Sequence, residues 1–406
     1  MPRIRFNIVP LFDSLKYIEE QLPAEQLDQT QKNEFLLAKK FLCAYTGSIG
    51  TFNAYRREIE RLLHWSWSVA EMPIKELKRE NIEKYIKFCQ KPPKSWIGIK
   101  KPPRFINKDG ERLPNPNWRP FVATVSKTAF RKGAQPDINE FEFTPSSVKE
   151  LFAIISSFFN YLIQEEYLTM NPAALIRQKS KFIQKDQGEV KIRRLSELQW
   201  DYVIQMAEAM ADQDPEQYER TLFIMSILYS MYLRISELVA SERWTPTMND
   251  FYRDSDKNWW FTTVGKGNKK RNIAVSDSML KALKRWRQHL NLSALPTPAD
   301  KSPLLPKAKG KGPMSSSNHI RRIVQECFDN AIEELHEDGH KEDSEALMAA
   351  SVHWLRHTGI SDDVKIRPRE HVRDDAGHSS SAITDKYIDI DKRERHRSAK
   401  NKLINE

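Results

Sequence analysis

Prolines at Pro92, Pro93, Pro102, Pro103, Pro114, Pro116 and Pro120 set the first limit on how this chain folds. A proline inside a helix removes a hydrogen bond and clashes with the preceding turn. Residues 91–143 are therefore not expected to form regular helix. The flanking pattern is helical. Phe35, Leu36, Phe41 and Leu42 fit one amphipathic helix, and Tyr55, Ile59, Leu62 and Leu63 a second. Lys78–Phe88 gives a third, with Ile82, Tyr85 and Ile86 on its apolar face. Helix resumes where Thr144 can cap and Pro145 suits the first turn, with Val148, Leu151, Phe152, Ile155, Phe158, Phe159 and Leu162 following. Asn171–Pro172 closes that segment. Residues 1–178 thus read as a helical unit carrying a basic, proline-rich insert at about 91–143, and the polar, basic residues 179–192 read as a linker.

From residue 193 to 406 the pattern is mixed. Ser196 caps an expected helix running to about Ala211, and residues 216–240 read as another, with the apolar run Thr221–Leu233 buried in it. Phe251–Arg253, Trp259–Val264 and Arg271–Val275 have strand composition, and Gly265–Asn268 supplies a turn. Helices are expected at about 277–290, 315–335, 344–360, 369–376 and 380–387. The fold class is mainly α with a small β-sheet.

The net charge of +10 favours a polyanionic partner. Cys43, Cys89 and Cys327 are too few and too far apart for a disulfide framework or a zinc-ligand pair, which points to a reducing, cytoplasmic setting. The N-terminus lacks a long apolar run with a cleavage site, so no signal peptide is expected. The run Thr221–Leu233 is too short to span a bilayer.

Five short pieces in the second half carry chemistry: Arg234 in LRISEL, Lys266 in VGKGNKKR, His353 and Arg356 in HWLRHT, His378 in AGHSS, and Tyr387 in TDKYIDI. Each has a bland alternative. Arg234 can pair with Glu237 on a helix, Lys266 can be a solvated turn lysine, and Tyr387 a half-buried aromatic. As a set and in this order they resemble the tyrosine recombinases (phage integrases). That family has an Arg in an RxxE helix, a Lys in a β-hairpin turn, an HxxR helix, a second His, and a Tyr nine positions after it. The likeness covers residues from about Arg193 onward and extends more weakly to NYLIQEEYLTMNPA, which is similar to the end of a core-binding domain.

The resemblance implies a two-domain DNA clamp, with a helical core-binding domain (SAM-like) and a mixed catalytic domain. It implies site-specific strand exchange on double-stranded DNA bearing specific recombination sites, through a 3′-phosphotyrosine and a Holliday junction. A homotetramer in the synapse, accessory DNA-bending proteins, and no metal or other cofactor come with it. Tyr387 would be the nucleophile. Arg234 and Arg356 would clamp the phosphate oxygens through paired, permanently charged forks. Lys266 would protonate the leaving oxygen, and His353 and His378 would share protons, with neighbouring cations favouring the Tyr387 phenolate. Alternative readings are a type IB topoisomerase or a DNA-binding protein that keeps the fold without catalysis.

Between Arg356 and His378 the chain departs from the family. GISDDVKIRPREHVRDDAGH replaces an apolar helix ending in LLGH, and Trp354 stands where relatives often have a small or acidic residue. His336-Glu337-Asp338-Gly339-His340 formally fits the zinc-protease pattern HExxH, but its surroundings are polar throughout, and a solvated loop is expected. In the insert, Trp96, Phe105, Trp118 and Phe121 lie among cations, as in segments that follow a phosphate backbone and stack or wedge on bases. The basic tail Lys392–Lys402 is expected to dock on a neighbouring subunit.

Overall fold

The computed structural model describes residues 8–45, 49–174, 176, 193–265, 267–387 and 399–400. The linker and tail readings at 179–192 and 392–402 fall largely or wholly outside these residues. The chain divides into two compact units, Met1–Gln187 and Gly188–Glu406. Among the described residues no helix is long and apolar enough to cross a membrane.

The first unit packs helices α1 (Gln29–Cys43), α2 (Ile49–Ser68), α3 (Arg79–Gln90) and α5 (Pro145–Gln164) around one core. Thr144 caps α5 by accepting the Ser147 N–H, and Pro145 opens it, as expected. Its apolar stripe, including Phe152, Phe158 and Phe159, is buried. Buried Glu34 gathers three donors: Trp67 Nε1 and the Ile74 N–H at 2.6 Å each, and the Tyr167 hydroxyl at 2.8 Å. Asn171 pins the chain after α5 through its side-chain amide to the Ser156 carbonyl at 3.0 Å.

The insert holds no long helix; its one α-helix is α4 (Lys127–Arg131). It forms a parallel pair of β1 (Ile97–Gly98) and β4 (Phe121–Val122) and a hairpin of β2 (Phe105–Lys108) and β3 (Glu111–Pro114). Phe130 on α4 is exposed, but the four aromatics expected to meet DNA do not face outward. Trp96, Phe105, Trp118 and Phe121 are all buried, which corrects the expectation that they stack or wedge on bases. Together they remove so much apolar surface from water that the core claims them first. Arg61 on α2 lies 4.4 Å over the Phe121 ring and donates to the Pro120 carbonyl at 2.8 Å. Two insert cations are also spent internally, Arg104 on Glu60 and Arg112 on Asp13. Lys94, Lys100, Lys101 and Lys108 remain exposed.

The second unit has α6 (Glu197–Gln213), α7 (Pro215–Ser230), α8 (Asp277–His289) and α9 (Ser317–Glu337) around a second core. Strands β5 (Phe251–Arg253), β6 (Trp259–Val264) and β7 (Lys270–Ala274) form an antiparallel sheet in sequence order. Then come α10 (Lys341–Leu347), α11 (Val352–Ile366), α12 (Arg369–Ala376) and α13 (Ser381–Thr384).

Two expectations need correction here. The helix expected over 216–240 stops at Ser230, and Tyr232 takes a left-handed φ of 50°. No glycine or proline marks this stop. It follows from tertiary contacts, because the buried Tyr232 is held by Asp363, Arg367 and Arg356. The helix expected over 344–360 is two, α10 and α11, divided near Ala350 and Ser351. The HExxH stretch is exposed throughout, in line with the solvated reading. Helix α9 ends at Glu337, Gly339 turns at φ 88°, and His340 sits just before α10. His336 and His340 therefore do not share a helix face.

Helix α11 crosses the end of α7 with no room for a side chain. A Cβ added at Gly359 would stand 2.1 Å from the Tyr229 carbonyl oxygen. In an exposed helix Gly→Ala is stabilising by up to about 1 kcal/mol. Here Gly359→Ala is expected to cost about 2–3 kcal/mol, because the two helices must move apart. Urea unfolding checks this; an unchanged or raised midpoint would contradict the close approach.

Candidate active site

Arg234 emerges from the turn after α7 and sits just before a 3-10 turn, Ile235–Glu237, not inside a helix as its motif suggested. The pairing with Glu237 is real, at 3.0 Å from Arg234 Nη1, and the Arg234 backbone N–H donates to the same carboxylate at 2.9 Å. Glu237 is 1% exposed and also receives a bidentate fork from Arg271, at 2.9 and 2.8 Å. Burial alone would raise its pKa, but the Arg271 hydrogen bonds and charge, with Arg234, hold it below the usual 4.5.

The sheet register explains Arg271. It pairs with Thr263 across β6 and β7, two positions from the buried pair Phe261–Ile273, so it points to the same face. Two glycines leave it room. A Cβ at Gly265 would meet Arg271 Nη1 at 2.9 Å, and one at Gly377, where φ is +64°, would meet Arg271 Cδ at 2.8 Å. Glycine at these two places lets the guanidinium lie flat between the hairpin turn and the turn after α12. Lys266 itself lies outside the described residues; its neighbour Gly265 packs on the Arg234–Glu237–Arg271 cluster.

His353 and Arg356 both lie on α11, as their spacing indicated. Arg356 is 2% exposed. Its Nη1 donates to the Tyr232 carbonyl, and its Nη2 donates to the Ala376 carbonyl at 2.6 Å and faces His378 Nε2 at 3.3 Å. Burial and the charge of Arg234 lower its pKa to about 9, which leaves it a cation at neutral pH. Because Arg356 donates to Nε2, the His378 proton sits on Nδ1, which donates to the Thr384 hydroxyl at 2.9 Å. Burial, then Arg356, Arg234 and Arg271, lower the His378 pKa to about 4.

Tyr387 ends the short 3-10 turn Asp385–Tyr387 and is 8% exposed. Its ring stacks on His378 at 5.5 Å between centroids and on His357 at 5.1 Å. His353 meets His357 edge-on at 4.3 Å. Burial raises the Tyr387 pKa, and the opposing pull of Arg356 and Arg234 is smaller. The two arginines do favour the phenolate, as expected, but burial outweighs them. Burial also lowers the His353 pKa, and with His353 and Arg356 nearby that of His357 falls to about 4.

The structure therefore gathers Arg234, His353, Arg356, His378 and Tyr387 into one constellation. Sequence reasoning missed Arg271 and His357, and it treated Glu237 only as a pairing partner. Adjacency to Arg356 was the one available signal for His357. For Arg271 it was the period-2 register of a short strand. Among the described residues no group of three or more His, Cys, Asp or Glu stands close enough to hold a metal ion.

Residues 194–394 match the phage integrase family. Over these residues the chain carries the domain of this family of tyrosine recombinases. It is 26% identical over 260 residues to a tyrosine recombinase XerC of Thermodesulfovibrio yellowstonii, spanning 61% of this chain and 72% of the relative. It is likewise 26% identical over 239 residues to XerC of Actinobacillus pleuropneumoniae serotype 7, spanning 58% and 65%. In three dimensions it is similar to XerH site-specific recombinase bound to a palindromic difH substrate in a post-cleavage complex. The TM-score is 0.55, the identity 13%, and 95% and 93% of the two chains are covered. A lambda integrase dimer bound to a COC′ core site aligns with a TM-score of 0.50 and 14% identity over 92% and 99%. These likenesses confirm the shared tyrosine recombinase fold, mainly helical with small sheets.

Proposed function

We propose that this protein is a site-specific DNA recombinase that cuts and rejoins strands through a 3′-phosphotyrosine on Tyr387 and a Holliday junction. The observation that carries the reading is the Tyr387 ring stacked on His357 and His378, with the Arg356 guanidinium against His378 in the same cluster. A phosphodiester attacked by a phenol builds charge on its non-bridging oxygens. Arg234 and Arg356 supply fixed positive forks for that charge with no reorganisation at the moment of reaction. His353 and His378, neutral at rest, are able to take up the phenolic proton once the phosphate anion enters and favours their charged forms. Lys266, next to Gly265 in the sequence, protonates the leaving 5′-oxygen. Two guanidiniums and a lysine supply the cationic charge, so the reaction needs no metal or other cofactor.

The partner is double-stranded DNA carrying specific sites, consistent with the net charge of +10. The unit at about 1–178 acts as the core-binding domain and that at about 193–406 as the catalytic domain. A homotetramer assembles in the synapse, with DNA-bending proteins as accessories, in the cytoplasm. Exposed insert lysines such as Lys100 and Lys101, rather than the insert aromatics, add phosphate contacts.

A substrate with sulfur at the 5′-bridging position tests the acid. A thiolate leaves without protonation, so Lys266→Ala is expected to cleave it nearly as well as wild type while failing on ordinary DNA. Equal failure on both would assign Lys266 a binding role.

A further inference from the structure

The polar stretch between Arg356 and His378 has a defined place in the fold. Arg367 follows the last residue of α11, and its two terminal nitrogens reach in different directions. Nη1 donates to the Tyr232 hydroxyl at 3.0 Å and to Asp363 Oδ2 at 3.1 Å, and Nη2 donates to Asp375 Oδ2 at 2.6 Å. Tyr232 also donates its hydroxyl to Asp363.

Each end of this bridge supports the candidate site. On one side, the Tyr232 carbonyl accepts from Arg356, and Tyr232 stands two residues ahead of Arg234 in a left-handed conformation. A non-glycine residue there is strained and persists only when its surroundings over-determine it. On the other side, the Asp375 carbonyl accepts Arg271 Nε at 2.9 Å, and its carboxylate accepts the Ala274 N–H at 3.3 Å. The next residue, Ala376, accepts Arg356 Nη2, and His378 follows directly after Gly377. One side chain thus joins the segment that delivers Arg234 to the segment that delivers His378 and Tyr387.

We propose that Arg367 is a positioning residue that fixes the spacing between the two guanidinium clamps and the Tyr387–His378 segment. The inference rests on the reading of Tyr387 as nucleophile. The stretch is helical, as the end of α11 and as α12, and Arg367 between the two ties them together through Asp363 and Asp375. Asp375 and Tyr232 are 5% and 1% exposed, so the bridge is anchored on buried groups rather than lying loose on the surface. Lysine has a single point charge and cannot hold both ends at once.

The test uses the full chain with 15N-labelled histidine. In the wild type, burial and then Arg356, Arg234 and Arg271 lower the His378 pKa to about 4. In Arg367→Gln the Ala376–Arg356–His378 contacts loosen, and the His378 titration midpoint is expected to rise by about one pH unit. Arg367→Lys keeps the charge and is expected to rise similarly. In parallel, a library of nicked duplexes with randomised cores measures covalent adduct formation. The rate is expected to fall about 10–100-fold in both variants, because misplacing a catalytic group by about 1 Å costs on the order of 10²-fold, with DNA affinity unchanged. If both variants melt at lower temperature while His378 titrates as in the wild type, Arg367 only holds the fold and the proposal fails. If the His378 shift appears but even the wild type forms no adduct, Arg367 still sets the Arg356–His378 contact, and it is the nucleophile reading that falls.

Discussion

Arg356→Lys is expected to slow strand cleavage by about 10²–10³-fold or more, the range for removing one pre-organised donor from a developing oxyanion. Lysine keeps the positive charge but not the planar fork. The loss is expected in single-turnover adduct formation, with DNA affinity changed far less. The substitution also withdraws donors from two carbonyls, those of Tyr232 and Ala376. A buried acceptor left unpaired costs about 1–3 kcal/mol, so thermal stability is expected to fall as well. A drop in rate smaller than about tenfold would remove Arg356 from the phosphate clamp, since no oxyanion donor of this kind is worth so little.

Glu237→Gln is expected to cost about 3–5 kcal/mol of stability at neutral pH, because Arg271 is then left as an unpaired, nearly buried charge. The pH dependence gives the sharper signature. The Glu237 carboxyl is held below 4.5 in the folded protein. Its stabilisation is therefore complete above the unfolded carboxyl value and is lost as pH falls through the lower folded value. Urea unfolding at a series of pH values should show wild type and Glu237→Gln far apart at pH 7 and converging in acid. Two curves that stay parallel would mean that the ionised carboxylate is not what holds Arg234 and Arg271 in place.

The residues that face solvent or a partner were easier to read from the sequence than those that face each other. Helix starts were legible where a local rule decides them, as at Thr144–Pro145 and Ser196, because capping involves only adjacent residues. The three strands were legible from composition. The stop at Ser230 was not, because Tyr232 is turned by partners more than a hundred residues away. The insert aromatics misled for a related reason. Their spacing among lysines and arginines is the same whether they stack on bases or fill a core, and only the buried faces of α2 and α3 decide between these. The motif residues were legible as a set, since the family order carried them. Arg271 and Arg367 were hidden, because their meaning lies in which carboxylates the fold brings to them.

The central claim is that Tyr387 attacks DNA. The direct measurement is denaturing electrophoresis and peptide mass spectrometry after mixing the full chain with the randomised nicked duplexes in excess EDTA. The expected result is a covalent adduct on a 3′-phosphate that maps to Tyr387 and is absent from Tyr387→Phe, which loses only a hydroxyl. An adduct on another residue, one that persists in Tyr387→Phe, or one that forms only when Mg²⁺ or Zn²⁺ is restored, would contradict the mechanism.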